Sequence, residues 1–304
     1  MDTEKCKVLL RAVDTGSFTK AAEELGYTPS GVTHMMNALE EDLGVPLLFR
    51  SRSGVTLTSA GQELIGSIRE LVASADRMDQ QVAEMQGLSV GHVRFASGAS
   101  FARYMIPEIV ARFKERYPNI TLEIMEAGGS EMRAAIAEHR ISMGFLTRKE
   151  ADRNFISLCS DDMLAIVPED SPLADREVMD LDELAQYPYI GVNIDYDHDV
   201  EYIVKKMGFS AKPFLVSRDE QAIIAMVREG LGVSIVAGLH VAFDSEGIVG
   251  IPLKPRYLRD VGLAIVSEES LSPAERKFIE VAQEVVADMI KDGLVLPPRL
   301  QETE

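Results

Sequence analysis

At 304 residues the chain exceeds one ordinary domain, and its 46% apolar content supplies two or three packed cores rather than a disordered chain. A net charge of −18 excludes nucleic-acid binding by the whole surface, because the duplex is a polyanion and attraction must then be local. The two cysteines, Cys6 and Cys159, lie far apart without metal-ligand spacing, which favours buried free thiols over a zinc site or a redox pair.

The amino terminus, MDTEKCK, lacks the apolar run of a signal peptide. The most apolar stretch, 223–243, contains Arg228, Glu229 and His240 and is no membrane span. The expected compartment is the cytoplasm, with no membrane partner. The first 58 residues hold six cations (Lys5, Lys7, Arg11, Lys20, Arg50, Arg52) against eight acids, so this part is less acidic than the rest without being basic.

A first helix is predicted to run from a Thr3 cap to about Thr15, with Val8, Leu9, Ala12 and Val13 as its apolar stripe and Gly16 as its stop. Ser17 or Thr19 starts a second helix, whose small Ala21 and Ala22 allow the close crossing of a helix-turn-helix. Gly26 suits the turn, and Thr28-Pro29 is a strong helix start. The third helix, to about Leu43, buries Val32, Met36 and Leu39 and shows Ser30, Thr33, His34 and Asn37 on its opposite face. These short polar side chains are of the kind that reach base edges, Asn37 pairing bidentately with adenine. Residues 46–58 read as a β-hairpin, with Leu47, Leu48 and Phe49 as its apolar frame. Arg50 and Arg52 fall at its end and tip, where they can meet phosphate.

This order of motifs resembles the LysR-type transcriptional regulators. The residues that carry the resemblance are Gly16-Ser17-Phe18 with Ala21-Ala22, the run from Thr28 to Glu40, Leu43-Gly44-Val45-Pro46-Leu47, and Leu57-Thr58 with Gly61. Three departures fall on the contact face: Pro29 stands where the family usually has glutamine, Asn37 where it often has a basic residue, and the wing cation near Ser53 is absent or displaced to Arg52.

From 59 to about 86, apolar residues from Leu64 to Met85 recur at helical spacing with no proline. Such a helix, roughly 40 Å long at 1.5 Å per residue, outreaches a sixty-residue module. The resemblance supplies its partner, the same helix of a second subunit, in a homodimer that assembles further into a homotetramer. Gly87-Leu88-Ser89 reads as a hinge.

Beyond it, strand and helix patterns alternate: strand 92–96, helix 101–117, strand 121–126, helix 131–138 and strand 141–146. A second half begins at 165–168 and continues with strand 189–192, helix 200–207, helix 220–229 and strand 233–236. Strand 262–266 and helix 273–290 return to the first half. The pattern predicts a parallel-sheet α/β module.

The module resembles the family's effector-binding unit, two Rossmann-like subdomains related to periplasmic binding proteins. Its strongest matches are Gly91-His92-Val93-Arg94, Pro107 through Tyr117-Pro118, Gly144-Phe145, Pro172-Leu173-Ala174 and Gly230-Leu231-Gly232-Val233. The expected organisation is a DNA-binding domain at 1–58 and a dimerisation helix with hinge at 59–88. An effector domain follows at 89–292 (one half 89–162 plus 266–292, the other 163–265), then a tail at 293–304.

Ligands in such folds sit at the carboxyl ends of the strands. There Ser100 is read as the cap of one helix and Gly129-Ser130 as the entry to another, both with N–H groups suited to an anion. Thr147, Asn193 and Ser217 are placed to complete the pocket. The five histidines are scattered, and neither a phosphate loop nor a nucleophile elbow is present. Asp161-Asp162 and the pair Asp195 and Asp197 read as helix caps or solvated acids. The reading is therefore a regulator rather than an enzyme, with no cofactor. Its expected partners are double-stranded DNA, a small anionic effector, a second copy of itself and the transcription machinery. The competing reading is a small-molecule sequestering protein whose helix-turn-helix is degenerate, motivated by the acidic first module and Pro29.

Overall fold

The computed structural model describes residues 2–51, 54–193 and 198–298. Arg52 and Ser53 in the wing, and Asp195 and Asp197, lie outside the described residues.

Three helices and a hairpin form the first module: α1 (Thr3–Thr15), α2 (Phe18–Leu25), α3 (Pro29–Leu43), β1 (Leu48–Ser51) and β2 (Gly54–Leu57). The first cap is Asp2 rather than Thr3, because its carboxylate accepts the Glu4 N–H at 3.0 Å. Ser17 and Thr28 cap α2 and α3 as their types dictate, and Gly26 takes the left-handed φ of 73° in the turn between them. Cys6, Leu9, Ala22, Val32, Met36, Leu39 and Leu47 close one core. Phe49 is not in it. Strand alternation pairs it with Thr56 on the outer face, where it is 62% exposed.

The long helix α4 (Ser59–Met85) divides its apolar stripe in two. Ile65, Ile68 and Val72 join the first core, whereas Met78, Val82 and Met85 are exposed at 60%, 50% and 86%. So the module covers the first half of the helix itself, and only the second half presents bare apolar surface.

The remaining elements are β3 (Gly91–Ser97), α5 (Ala99–Tyr104), α6 (Ile106–Arg116), β4 (Ile120–Glu126), α7 (Gly129–Ala137), β5 (Met143–Thr147), β6 (Phe155–Pro168), β7 (Met179–Asp180), α8 (Leu181–Leu184), β8 (Ile190–Val192), α9 (His198–Lys206), β9 (Leu215–Ser217), α10 (Glu220–Arg228), β10 (Ser234–Ala237), α11 (Gly238–Phe243), β11 (Ile248–Lys254), β12 (Leu258–Ile265) and α12 (Pro273–Lys291). The single helix expected over 101–117 breaks at Met105, since Pro107 fits the first turn of a new helix and not the interior of an old one.

The expected parallel sheet is present in part, within a mixed one. Strands β4, β3 and β5 are parallel, but β12 runs antiparallel between β5 and β6. The 14-residue β6 crosses position 162: its first part pairs β12, and its last part lies between β10 and β11. The two halves thus share a strand instead of meeting at a loop. Gly262 permits the close approach of β12 to β6, for a Cβ there would lie 2.1 Å from the Ile156 carbonyl oxygen.

Each half has its own core. In the first, α12 buries Phe278 against Phe95, Phe113 and Phe145, with ring centroids 4.7, 5.3 and 6.3 Å away. In the second, Ile190, Ile203, Ile223 and Ile235 are among the buried centre. Among the described residues, no helix is long and apolar enough to cross a membrane.

Candidate functional site

The exposed side of α3 carries Ser30, His34 and Asn37, with Thr33 half-buried. Thr33 Oγ1 donates back to the Pro29 carbonyl at 2.9 Å, and the Ser30 hydroxyl lies 3.1 Å from that of Thr28. His34 and Asn37, unlike these two, have no such bond to their own helix start. Asn37 is itself engaged: its Oδ1 accepts from Arg50 Nη1 at 2.6 Å.

Arg50 is engaged within the module. In the hairpin it lies opposite Val55, on the inner face, so its guanidinium turns toward α3. There it pairs with Glu40 Oε2 at 2.7 Å and stands over the Phe18 ring at 5.3 Å. Glu40 Oε1 in turn accepts the Leu47 and Leu48 N–H groups at 2.7 and 3.0 Å. Arg50 thus ties wing to helix while holding Asn37 in one orientation. Other cations of the module are paired as well: Lys5 with Asp42, Lys7 with Asp76, and Arg11 with Glu24. Among its described residues only Lys20 is a cation without an acidic partner.

The second site lies between the halves at the carboxyl ends of β3 and β5. A cleft of about 80 Å³ is lined there by Ser100, Phe101, Gly129, Arg133, Thr147, Asp199, Glu220 and Arg259 among others. Of the six residues proposed from sequence, it gathers Ser100, Gly129 and Thr147. Ser130, Asn193 and Ser217 are not in its lining. The Asn193 N–H donates to the Ser217 carbonyl at 2.9 Å at the end of the β8–β9 pairing, and Ser217 Oγ accepts the Asp219 N–H at 3.0 Å in the turn before α10. Nor is Ser100 the cap of α5. Gly98 holds that position, and Ser100 sits inside the first turn, almost wholly buried. Both α5 and α7 begin at glycine caps (Gly98 and Gly128) without a side-chain acceptor.

The charged residues of the cleft were missed from sequence. Arg259, 5% exposed, is bound by Asp161 Oδ2 at 2.7 and 3.0 Å, stands over the Phe101 ring at 5.0 Å, and lies 3.8 Å from Asp199. Asp161 was expected in solvent or at a cap. It is buried, and it does serve a helix start, accepting the Leu239 N–H of α11 at 3.4 Å from a strand far away in sequence. Burial pushes its carboxyl above the usual aspartate range, against the opposing pull of Arg259. Asp162 instead pairs with Arg256. Arg133 Nη2 donates to the Thr147 carbonyl at 2.6 Å and pairs with Asp152 at 2.7 Å. Burial raises the Asp152 carboxyl, but Arg133 and the Lys149 N–H outweigh it and hold it below the usual range.

Beside the cleft, a mouth of about 300 Å³ is bordered by Arg103, Gln221, Arg218 and His240. Tyr104 of the first half meets His240 Nδ1 at 3.2 Å and accepts from Gln221 Nε2 at 3.0 Å, so polar contacts bridge the halves here too. A larger groove, about 980 Å³, runs between α4 and the first half, away from the strand ends. Both cysteines are fully buried, and desolvation pushes the Cys159 thiol up to about 12.

A winged helix-turn-helix joined by a long helix to two halves around a polar cleft defines a DNA-binding regulator with an effector-binding module. The family comparisons agree over both parts. Residues 3–62 match the bacterial regulatory helix-turn-helix protein, lysR family, and residues 86–287 match the LysR substrate binding domain. The uncharacterized HTH-type transcriptional regulator YvbU of Bacillus subtilis is 30% identical over 288 residues, 94% of this chain and 99% of that protein. The chain belongs to the LysR family of transcriptional regulators. Among solved structures, full-length OxyR C199D from Pseudomonas aeruginosa has the same fold, with a TM-score of 0.76 at 20% identity, covering 100% of this chain and 99% of its own. The effector-binding domain of QuiR in complex with shikimate matches with a TM-score of 0.56 at 19% identity, over 66% of this chain and 98% of that one.

Proposed function

We propose that this LysR-family regulator acts in the cytoplasm as a homodimer, assembled further into a tetramer, and responds to a small anion bound between the halves of its effector domain. The observation that carries the anionic reading is Arg259, a buried guanidinium at the strand ends between two helix starts that lack side-chain caps. The QuiR effector binding domain, which shares this fold, is in complex with shikimate, a carboxylate, and so supports an anionic effector by analogy. The exposed stripe Met78, Val82 and Met85 supports pairing of α4 with its copy. On the DNA side His34, Asn37 and Ser30 read bases with Thr33 behind them, while Lys20, Arg50 and Arg52 serve the phosphates.

Closing of the cleft on the anion changes the angle between the two DNA-binding pairs and hence the bend in the DNA. A coupling of about 1–3 kcal/mol between effector and DNA states is enough. Native mass spectrometry of freshly purified protein identifies the retained anion, and footprinting with that compound tests the coupling. The footprint is expected to change in length or bending at saturation; an unchanged footprint contradicts the mechanism. The internal pairing of the first module's cations also favours a second reading, a sequestering protein with a weakened helix-turn-helix. Selection from random duplexes separates the two.

A further inference from the structure

The cleft already holds a carboxylate of its own. Asp199, on α9 of the second half, is 5% exposed. Its Oδ2 accepts the hydroxyl of Thr147, at the end of β5 in the first half, at 2.9 Å, and its Oδ1 accepts the Tyr257 hydroxyl at 3.0 Å. Arg259 lies between two acids held unequally: Asp161 at 2.7 Å and Asp199 at 3.8 Å. The closer acid is fixed on the shared strand β6. The looser one belongs to the half that has to move if the cleft opens.

We propose that Asp199 occupies the anion subsite of the cleft and latches the two halves until a carboxylate on the effector displaces it. The proposal rests on the anionic-effector reading above and names the group that the effector replaces. The available space agrees with displacement. The cleft of about 80 Å³ is small beside the roughly 300–1,000 Å³ of ordinary ligand pockets. The adjoining mouth of about 300 Å³ shares Ala99 and Glu220 with the cleft and has room for the body of a small organic acid. A carboxylate entering from the mouth takes over the Thr147 hydroxyl and the outer side of Arg259, and Asp199 leaves with α9. Net charge at Arg259 is conserved in the exchange, so a bare carboxylate gains little and the body of the ligand decides specificity.

Acetate is the probe, with the full-length chain as wild type, Asp199→Ala and Asp199→Asn. The thermal midpoint of each is read in sodium acetate and in sodium chloride at equal ionic strength. Asp199→Ala vacates the subsite, and acetate is expected to raise its midpoint by about 2–4 °C over chloride. Wild type and Asp199→Asn keep the subsite filled and are expected to show no acetate-specific rise. If Asp199→Ala does not fold, Asp199→Ser leaves similar room and carries the same expectation. No acetate-specific rise in the alanine or serine variant overturns the proposal. An equal rise in wild type also overturns it, while leaving an anion site in the cleft. A failed DNA-site selection would strike the regulator reading instead, without touching the acetate result.

Discussion

The face of α3 and the interdomain cleft solve the problem of displaying charge in opposite ways. On α3 and the wing the ion pairs are at the surface, between residues at most some tens of positions apart, such as Arg50 with Glu40 and Lys5 with Asp42. Water and salt screen them, and each contributes little to stability. In the cleft Arg259, Asp161 and Asp199 are all about 95% buried, and each was brought there by a different element. Charges in that setting cannot be left singly, because desolvation costs more than most native contacts return. The lesson is that the DNA-facing surface can lose or exchange a charge cheaply, whereas the cleft can exchange one only for another of the same sign.

The largest test of that contrast is Arg259→Leu. It strands two buried acids, and the effector module is expected to lose about 3–5 kcal/mol in denaturant unfolding while the first module's transition stays in place. A loss below about 1 kcal/mol would show that the cleft is wetter than its burial implies. Next comes Arg133→Gln, expected to cost about 1.5–3 kcal/mol at neutral pH by removing a charge-assisted pair with Asp152. Because the folded Asp152 carboxyl is depressed, its contribution is present above the ordinary aspartate pKa and is lost as pH falls through the depressed one. The stability difference between wild type and variant should therefore shrink in acid, which urea melts at a series of pH values measure.

The surface side of the contrast predicts smaller changes. Arg50→Ala should cost about 1 kcal/mol or less in stability. In DNA binding it should both weaken all sequences and blur one base pair, since it releases Asn37. Asn37→Ala should blur the same base pair without the general weakening. Weakening of every sequence alike by both variants would remove Asn37 from base reading. Smallest of all, the two buried thiols should stay silent to a thiol reagent in the native protein and titrate fully in denaturant, since burial leaves Cys159 almost no thiolate at neutral pH.

Much of the first module was legible because its signals are local. Thr28-Pro29, Gly26 and Ser17 each act on the backbone within three or four residues, and the structure uses all three as written. The amphipathic pattern of α12 was legible for the same reason, eight of its residues being buried on one side. The direction of Arg50 was not, because it depends on hairpin register against α3 rather than on the identity of its neighbours. In the cleft, helix starts drew attention to Ser100 and Gly129, and a place at the end of a strand to Thr147. The charges that dominate it were hidden by distance along the chain, Arg259 and Asp161 being 98 positions apart. A usable signal did exist: both are charged residues inside strands whose same-face neighbours two positions away are apolar or aromatic, Cys159 and Met163 for Asp161 and Tyr257 and Val261 for Arg259, where burial demands a partner. The shared strand β6 escaped for a related reason, since pairing with β12, β10 and β11 is a property of topology and not of local pattern.

Selection of bound sequences from random duplexes by the purified full-length protein, repeated over a range of salt, tests the account at its centre. Enrichment of a near-palindromic site is expected, with a salt slope shallow for a protein of this kind because the module's cations are largely paired internally. No enrichment even at low salt would contradict the regulatory account and favour the sequestering reading.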